Sequence, residues 1–168
     1  MKKKKICSII LARGGSKGIK NKNLVLINNK PLIYYAIKAS LESNVDETWL
    51  SSDSEKILKK AKSFGAKIIK RPKKYAKDSS TSESAILHFL DNVDCDLIVF
   101  IQPTSPMILS KDINKGLRKI MKYDSVISVS EIHQLIWFGK NPSYNINNRK
   151  RRQLNKKTFL ETGSFFIT

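Results

Sequence analysis

Arg13, Lys17, Lys20 and Lys22 fall within one short stretch, Arg13-Gly14-Gly15-Ser16-Lys17-Gly18-Ile19-Lys20-Asn21-Lys22-Asn23, directly after the apolar run Ile6 to Ala12. Cations at that density beside three glycines suit an anion such as phosphate. Glycine can take positive φ and lets backbone N–H groups approach an anion as donors, while the basic side chains neutralise its charge. The loop lacks the Gly-Lys-Ser/Thr ending of a Walker A motif and the Gly-x-Gly-x-x-Gly order of a dinucleotide fingerprint, so neither of those folds is implied. A solvated basic turn after a strand is the plain alternative, and for Lys20 and Lys22 taken singly it stands level with the functional one.

Further along, other residues have types that bind polar ligands. Arg71 precedes Pro72, which holds the backbone extended and lets a guanidinium donate to a ring carbonyl. Ser80 and Ser82 belong to a hydroxyl-rich stretch, Asp78 to Ser84, where helix capping accounts for one hydroxyl and ligand binding is open for another. Gln102-Pro103-Thr104-Ser105-Pro106 fixes two hydroxyl residues between prolines, which suits a polyhydroxylated ligand or a plain strand-exit turn. Asp53 follows a strand, where it either caps the next helix or holds a metal, capping being the simpler role. Arg149, Lys150, Arg151 and Arg152 form a dense basic cluster, but no interleaved aromatics support nucleic-acid binding.

These residues must be positioned by elements that the apolar pattern reveals. Strands are expected at 6–12, 47–52, 66–70, 96–102, 125–130 and 160–167, and helices at 31–43, 54–64, 80–92 and 110–122. Ser80 or Thr81 is expected to cap the third helix, and Ser110 with Asp112 the fourth. The run Leu97 to Ile101 is apolar throughout, the mark of a strand buried on both faces of a helix-covered parallel sheet. The fold class is therefore α/β: a Rossmann-like open, mostly parallel sheet with helices on both faces, with ligands in the crevice beyond the C-terminal ends of its strands. Residues 131–158 break the rhythm and are expected to form a lid or dimerisation excursion within a single domain spanning 1–168.

Length and composition agree with one soluble domain: 168 residues, 40% hydrophobic and 27% charged. The net charge of +18 favours anionic partners without choosing among nucleic acid, membrane surface and small phosphorylated or carboxylated molecules. The first apolar run ends after seven residues at Arg13 with no cleavage pattern, and no stretch approaches a membrane span, so secretion and membrane insertion are not expected. Cys7 and Cys95 lack paired spacing and read as small buried thiols of a reducing cytoplasm. With His88 and His133 the only histidines, a histidine zinc site has almost no ligands to draw on.

Ala12-Arg13-Gly14-Gly15-Ser16-Lys17-Gly18 with Lys22-Asn23 resembles the nucleotide-binding signature of the acylneuraminate cytidylyltransferases. Leu50-Ser51-Ser52-Asp53, Lys70-Arg71-Pro72, Gln102 to Pro106 and Glu161 to Ile167 match the same family in the same order across almost the whole chain. The resemblance implies a fold of nucleotide-diphospho-sugar transferase type. It implies transfer of a cytidylyl group from CTP to the anomeric hydroxyl of an acidic nine-carbon 2-keto sugar, sialic acid or a relative, releasing pyrophosphate. It also implies that Arg13 and Lys17 act on the triphosphate as the catalytic pair. CTP would further meet Leu11, Ala12, Gly14, Gly15, Ser16, Lys22 and Asn23, with Arg71 reading cytosine and Ser80 and Ser82 near the ribose. Gln102, Thr104, Ser105, Gly163 and Arg152 would face the sugar, Arg152 from the partner subunit of a homodimer.

The family fold continues for several tens of residues beyond this point, and an Asp-x-Asp motif there supplies carboxylates for magnesium. The expectation is therefore a C-terminally truncated form with Mg²⁺ ligands outside residues 1–168, no metal ligand within them, and little turnover. Asp94-Cys95-Asp96 stands at the entrance of its strand, the wrong end for the crevice. Kdo cytidylyltransferases are the nearest competing enzymes, but their loop, approximately Arg-Tyr-Ala-Ser-Thr-Arg-Leu-Pro, differs from Arg13 to Gly18. A catalytically impaired nucleotide-binding relative and a basic nucleic-acid-binding protein are the remaining alternatives; the favoured reading has no nucleic-acid or membrane partner.

Overall fold

Ile6, Ile9 and Ile10 are β-branched residues in an apolar run, and they set an extended strand, β1 (Ile6–Leu11), at the centre of the sheet. The computed structural model describes residues 4–133, 135–149, 151, 154 and 157–168. After the basic loop and a single 3₁₀ turn come β2 (Leu26–Ile27) and β3 (Lys30–Pro31), a small hairpin that the apolar pattern does not reveal. Its two-residue turn puts Asn28 and Asn29 at φ 47° and 61°, the left-handed conformation that asparagine tolerates and that such turns demand. There follow α1 (Leu32–Leu41), β4 (Glu47–Ser52), α2 (Glu55–Ser63), β5 (Lys67–Lys70), α3 (Ser82–Leu90), β6 (Leu97–Ile101), α4 (Ser110–Lys119) and β7 (Val126–Ile132). The chain closes with β8 (Trp137–Phe138), β9 (Asn141–Pro142) and β10 (Thr158–Ile167).

The six-stranded sheet has the order β5-β4-β1-β6-β10-β7. β5, β4, β1 and β6 run parallel, as the apolar runs imply. β10 is antiparallel to both neighbours, so the sheet is mixed. Both faces are covered. Ile33, Ile37, Ile57, Leu58 and Ile113 of α1, α2 and α4 pack with Ile10, Leu50, Val99, Phe165 and Ile167 on one side, and Phe89 of α3 packs with Cys7, Ile9, Ile98 and Phe100 on the other. α4 comes close enough to β10 that a Cβ on Gly116 would lie 2.7 Å from Ile167 Cδ1, so only glycine permits this approach without repacking. Cys7 and Cys95 are free; burial pushes the Cys7 thiol up to about 12, which keeps it a protonated, unreactive filler.

Of the two helix caps expected for α3 and α4, the first holds and the second does not. Thr81, one of the two candidates, caps α3 by accepting from Ser84 N at 3.2 Å. Ser110 is the first helical residue of α4, Leu109 precedes it, and no side chain caps that end.

β7 extends to Ile132 and pairs there with Thr158, so regular structure runs into both ends of the excursion expected at 131–158. Trp137, Phe138, Ile146, Leu154, Phe159 and Leu160 in and beside it are more than half exposed. The pairing of β10 with β7 is interrupted between Glu161 and Phe166. Ser128 fills the gap: Ser164 N and Phe165 N donate to its Oγ at 3.0 and 3.1 Å, and the Thr162 hydroxyl lies 2.9 Å from it. The Thr162 hydroxyl is placed to donate to Ser128 Oγ or to Ser128 O, 3.1 Å away.

Candidate functional site

Because β1, β4, β5 and β6 are parallel, their C-terminal ends share one edge of the sheet, and the loops leaving them meet there. The loops after β1, β5 and β6 line a cleft of about 610 Å³, with the loop after β4 beneath it. Glu161 to Ile167 reaches this edge by a different route from that expected. The segment lies within β10, as the strand expected at 160–167 implies, but β10 runs antiparallel to β6, and Gln102 N at the end of β6 donates to Ser164 O at 3.0 Å.

The loop after β1 is held from beneath. Ala12 N donates to Ser51 O at 3.0 Å, Gly14 N to Asp53 Oδ1 at 2.8 Å, and the Asn23 amide to Arg13 O at 2.9 Å. Asp53 therefore joins two loops and does not cap α2, whose N-cap residue Ser54 makes no side-chain cap. The glycines also serve differently from the expectation. Gly14, Gly15 and Gly18 all have φ outside the left-handed region, and it is Asn21 that sits there, at φ 54°. At Gly14 a Cβ would lie a tight 3.0 Å from Ser54 Cβ, and its N–H is committed to Asp53.

Of the expected nucleotide residues, Leu11, Arg13, Ser16, Lys17, Lys22, Asn23, Arg71, Ser80 and Ser82 line the cleft. Ala12 is buried behind it, and neither Gly14 nor Gly15 is on its wall. Asn23 is also buried, with Oδ1 lacking a partner among the described residues. The Ser80 hydroxyl is engaged within its own loop, accepting from Lys77 N at 3.1 Å and donating to Lys74 O at 3.0 Å.

Arg71 is the most unusual group. Its backbone N–H donates to Ser52 O at 2.8 Å, continuing the register of β4 and β5, and this draws a guanidinium with 6% exposure into the cleft floor. One long bond of 3.4 Å to Ser51 O is its side-chain partner among the described residues, and Nε has none. Burial pulls its pKa below the ordinary value; the nearby Asp53 charge opposes this and Arg13 adds to it. A buried cation with unused donors is a costly arrangement that a ligand acceptor relieves.

On the opposite wall stand Gln102 and Thr104. Ser105 does not join them. The turn in which Ser105 N donates to Gln102 O at 3.3 Å reverses the chain, and Ser105 lines a separate cavity of about 570 Å³ between α4, β7 and β10. Gly163, at φ +63°, sits in the β10 interruption and lines neither cavity. Arg152 lies outside the described residues. Tyr75, Lys77 and Asp78 also line the cleft, although no ligand role was expected of them. Lys77 and Asp78 could have been found from the hydrophilic run between β5 and α3, whereas nothing local marks Tyr75.

At the opposite edge of the sheet Asp96 Oδ2 accepts from Lys5 N at 2.7 Å, far from the cleft. Among the described residues no three His, Cys, Asp or Glu side chains gather as a metal site, and no helix is long and apolar enough to cross a membrane.

N-acylneuraminate cytidylyltransferases B and A of Danio rerio are 40% and 38% identical to this chain over 173 and 183 aligned positions, covering 96% and 99% of it. The same alignments cover 41% and 42% of those proteins, so the chain spans about two fifths of the length of these curated relatives. In fold it is similar to a CMP:2-keto-3-deoxy-manno-octonic acid synthetase complexed with CTP, with a TM-score of 0.76 and 19% identity over 97% of this chain and 73% of that one. The sequence profile of the cytidylyltransferases matches residues 7–164, the span that includes every loop of the cleft, and the chain belongs to that family.

Proposed function

We propose that this chain carries the nucleotide site of an enzyme that transfers a cytidylyl group from CTP to the anomeric hydroxyl of an acidic nine-carbon 2-keto sugar, sialic acid or a relative. The observation that carries the reading is the pairing, in one cleft, of two side-chain cations at the loop after β1 with the under-bonded guanidinium of Arg71 in the floor. Arg13 and Lys17 bind the triphosphate, and Arg71 donates to the cytosine carbonyl. Ser82 lies near the ribose, and Gln102 and Thr104 hold hydroxyls of the sugar. The sugar oxygen attacks the α-phosphorus in line and pyrophosphate leaves. Arg13 and Lys17 stabilise the charge that grows on the departing phosphates, so the chemistry rests on positioning and electrostatics. No side chain is assigned as general base.

Mg²⁺ normally accompanies a nucleoside triphosphate and takes one or two carboxylates besides phosphate oxygens. Asp53 is tied through Oδ1 to Gly14 N and Asp78 to Arg13 and Lys17, and no step here is assigned to a metal. Trp137, Phe138, Phe159 and Leu160 are large apolar side chains left exposed, and a second copy of the chain would cover them in a homodimer.

The reading is tested by titrating CTP, UTP and ATP into the protein calorimetrically. Lys17→Ala removes a charge-assisted contact of about 1.5–3 kcal/mol and should weaken all three alike. Arg71→Ala should narrow the preference for CTP over ATP. Unchanged affinity in Lys17→Ala, or equal losses for CTP and ATP in Arg71→Ala, would refute the assignments, and labelled CTP with a panel of acidic sugars identifies the acceptor.

A further inference from the structure

Arg13 and Lys17 face the cleft, yet neither stands free. Asp78 bridges them, Oδ1 accepting from Arg13 Nη1 and Oδ2 lying 2.5 Å from Lys17 Nζ. Lys17 first and Arg13 second hold the Asp78 carboxyl below the usual carboxylate range. The aspartate is presented on a braced support. Ser80 N donates to Lys77 O at 3.1 Å, the Ser80 hydroxyl bonds both Lys77 N and Lys74 O, and the next residue, Thr81, caps α3. Arg13 is anchored too, because its own carbonyl accepts from Asn23. Two loops that are 65 residues apart in the chain are thus joined across the cleft by one carboxylate.

A carboxylate that spans two cations, one per oxygen, satisfies the same donors that two oxygens of a phosphate group would. Both anions cannot hold Arg13 and Lys17 at contact distance together, since the second would meet the charge of the first. We propose that Asp78 is an electrostatic latch. In the nucleotide-free cleft it occupies Arg13 and Lys17 in place of a phosphate group, and it is exchanged for the polyphosphate when nucleotide binds. The proposal rests on the nucleotide reading of the cleft. Its consequence is a penalty on every ligand whose phosphate group needs both cations, and none on a ligand that leaves them alone. The pairs are exposed, so salt screens the latch.

The test compares wild type, Asp78→Asn, Asp78→Glu, Lys17→Ala and the Asp78→Asn/Lys17→Ala double variant by calorimetric titration with inorganic tripolyphosphate, inorganic phosphate, CTP and cytidine. Asp78→Asn should bind tripolyphosphate and CTP about 3- to 10-fold more tightly, as expected for releasing two exposed ion pairs, and bind cytidine as wild type does. Its gain for inorganic phosphate should be the same factor, because the carboxylate penalises every ligand that needs both cations alike. Asp78→Glu should return towards wild type, the gain should shrink in the Lys17→Ala background, and it should fade as ionic strength rises past about 0.3 M.

Equal or weaker tripolyphosphate binding by folded Asp78→Asn overturns the latch, as does a gain that survives intact without Lys17 or failure of every variant to bind tripolyphosphate. If Asp78→Asn tightens tripolyphosphate but wild type does not prefer CTP to ATP in the nucleotide titrations above, the latch stands and the cytidylyl reading fails. If wild type prefers CTP and Asp78→Asn changes nothing, the latch fails and that reading stands.

Discussion

Ser128→Ala is expected to destabilise the fold far more than an ordinary strand-surface substitution. The Ser128 hydroxyl oxygen is the acceptor for Ser164 N and Phe165 N, at 3.0 and 3.1 Å, and it also meets the Thr162 hydroxyl. Removing it leaves two half-buried backbone donors with no partner, each costing about 1–3 kcal/mol. Water can enter at this partly open position, which favours the lower end, so the sum is about 2–3 kcal/mol. For a domain of this size about 2–4 °C of Tm goes with each kcal/mol, and the fall should be roughly 4–12 °C by scanning calorimetry. Ser130→Ala, at an exposed position two residues on, should change Tm by no more than about 1 °C. Hydrogen exchange supplies the local readout: the amides of Ser164 and Phe165 should lose protection before those of β1. A Ser128→Ala protein with unchanged Tm and unchanged protection at these two amides would show that the interruption in β10 is held by something other than this hydroxyl.

Gly116→Ala gains helix propensity of about 1 kcal/mol but forces a methyl to within 2.7 Å of Ile167 Cδ1 and 2.9 Å of Phe165 Cε2. Overpacking of about 1–3 kcal/mol should dominate, so the urea midpoint should fall, and a rise would refute it. Glu47, paired with Lys67 first and also bonded to Trp49 Nε1, has its pKa lowered to about 2 from 4.5. A depressed folded-state pKa stabilises above the unfolded value and is lost as pH falls through the folded one. The stability difference between wild type and Glu47→Gln should therefore be constant above about pH 5 and shrink between about pH 4.5 and 2. A difference that does not change over that window would show that the carboxylate is not held by these partners.

Which elements form is legible in the order of the residues. Leu97 to Ile101, apolar throughout, announces a strand with two buried faces, and the helical spacing of Ile33, Ala36 and Ile37 announces the face that α1 buries. Such patterns are local, because solvent exposure alternates with a period that the backbone geometry of each element imposes. The basic loop, Arg71 and Gln102 are equally legible as strand-exit residues, and the parallel sheet then brings their loops to one edge.

Tertiary structure decided the direction of β10, which pairing with β6 and β7 sets and which no period encodes. It turned Ser105 away from Gln102 and sent Asp53 to Gly14 N instead of its own helix. It also chose Asp78 as the partner of Arg13 and Lys17. The physical reason is range. Burial pattern and capping are settled within a few residues, whereas a carboxylate's partner depends on where distant chain reversals place it, and here that separation is 65 residues.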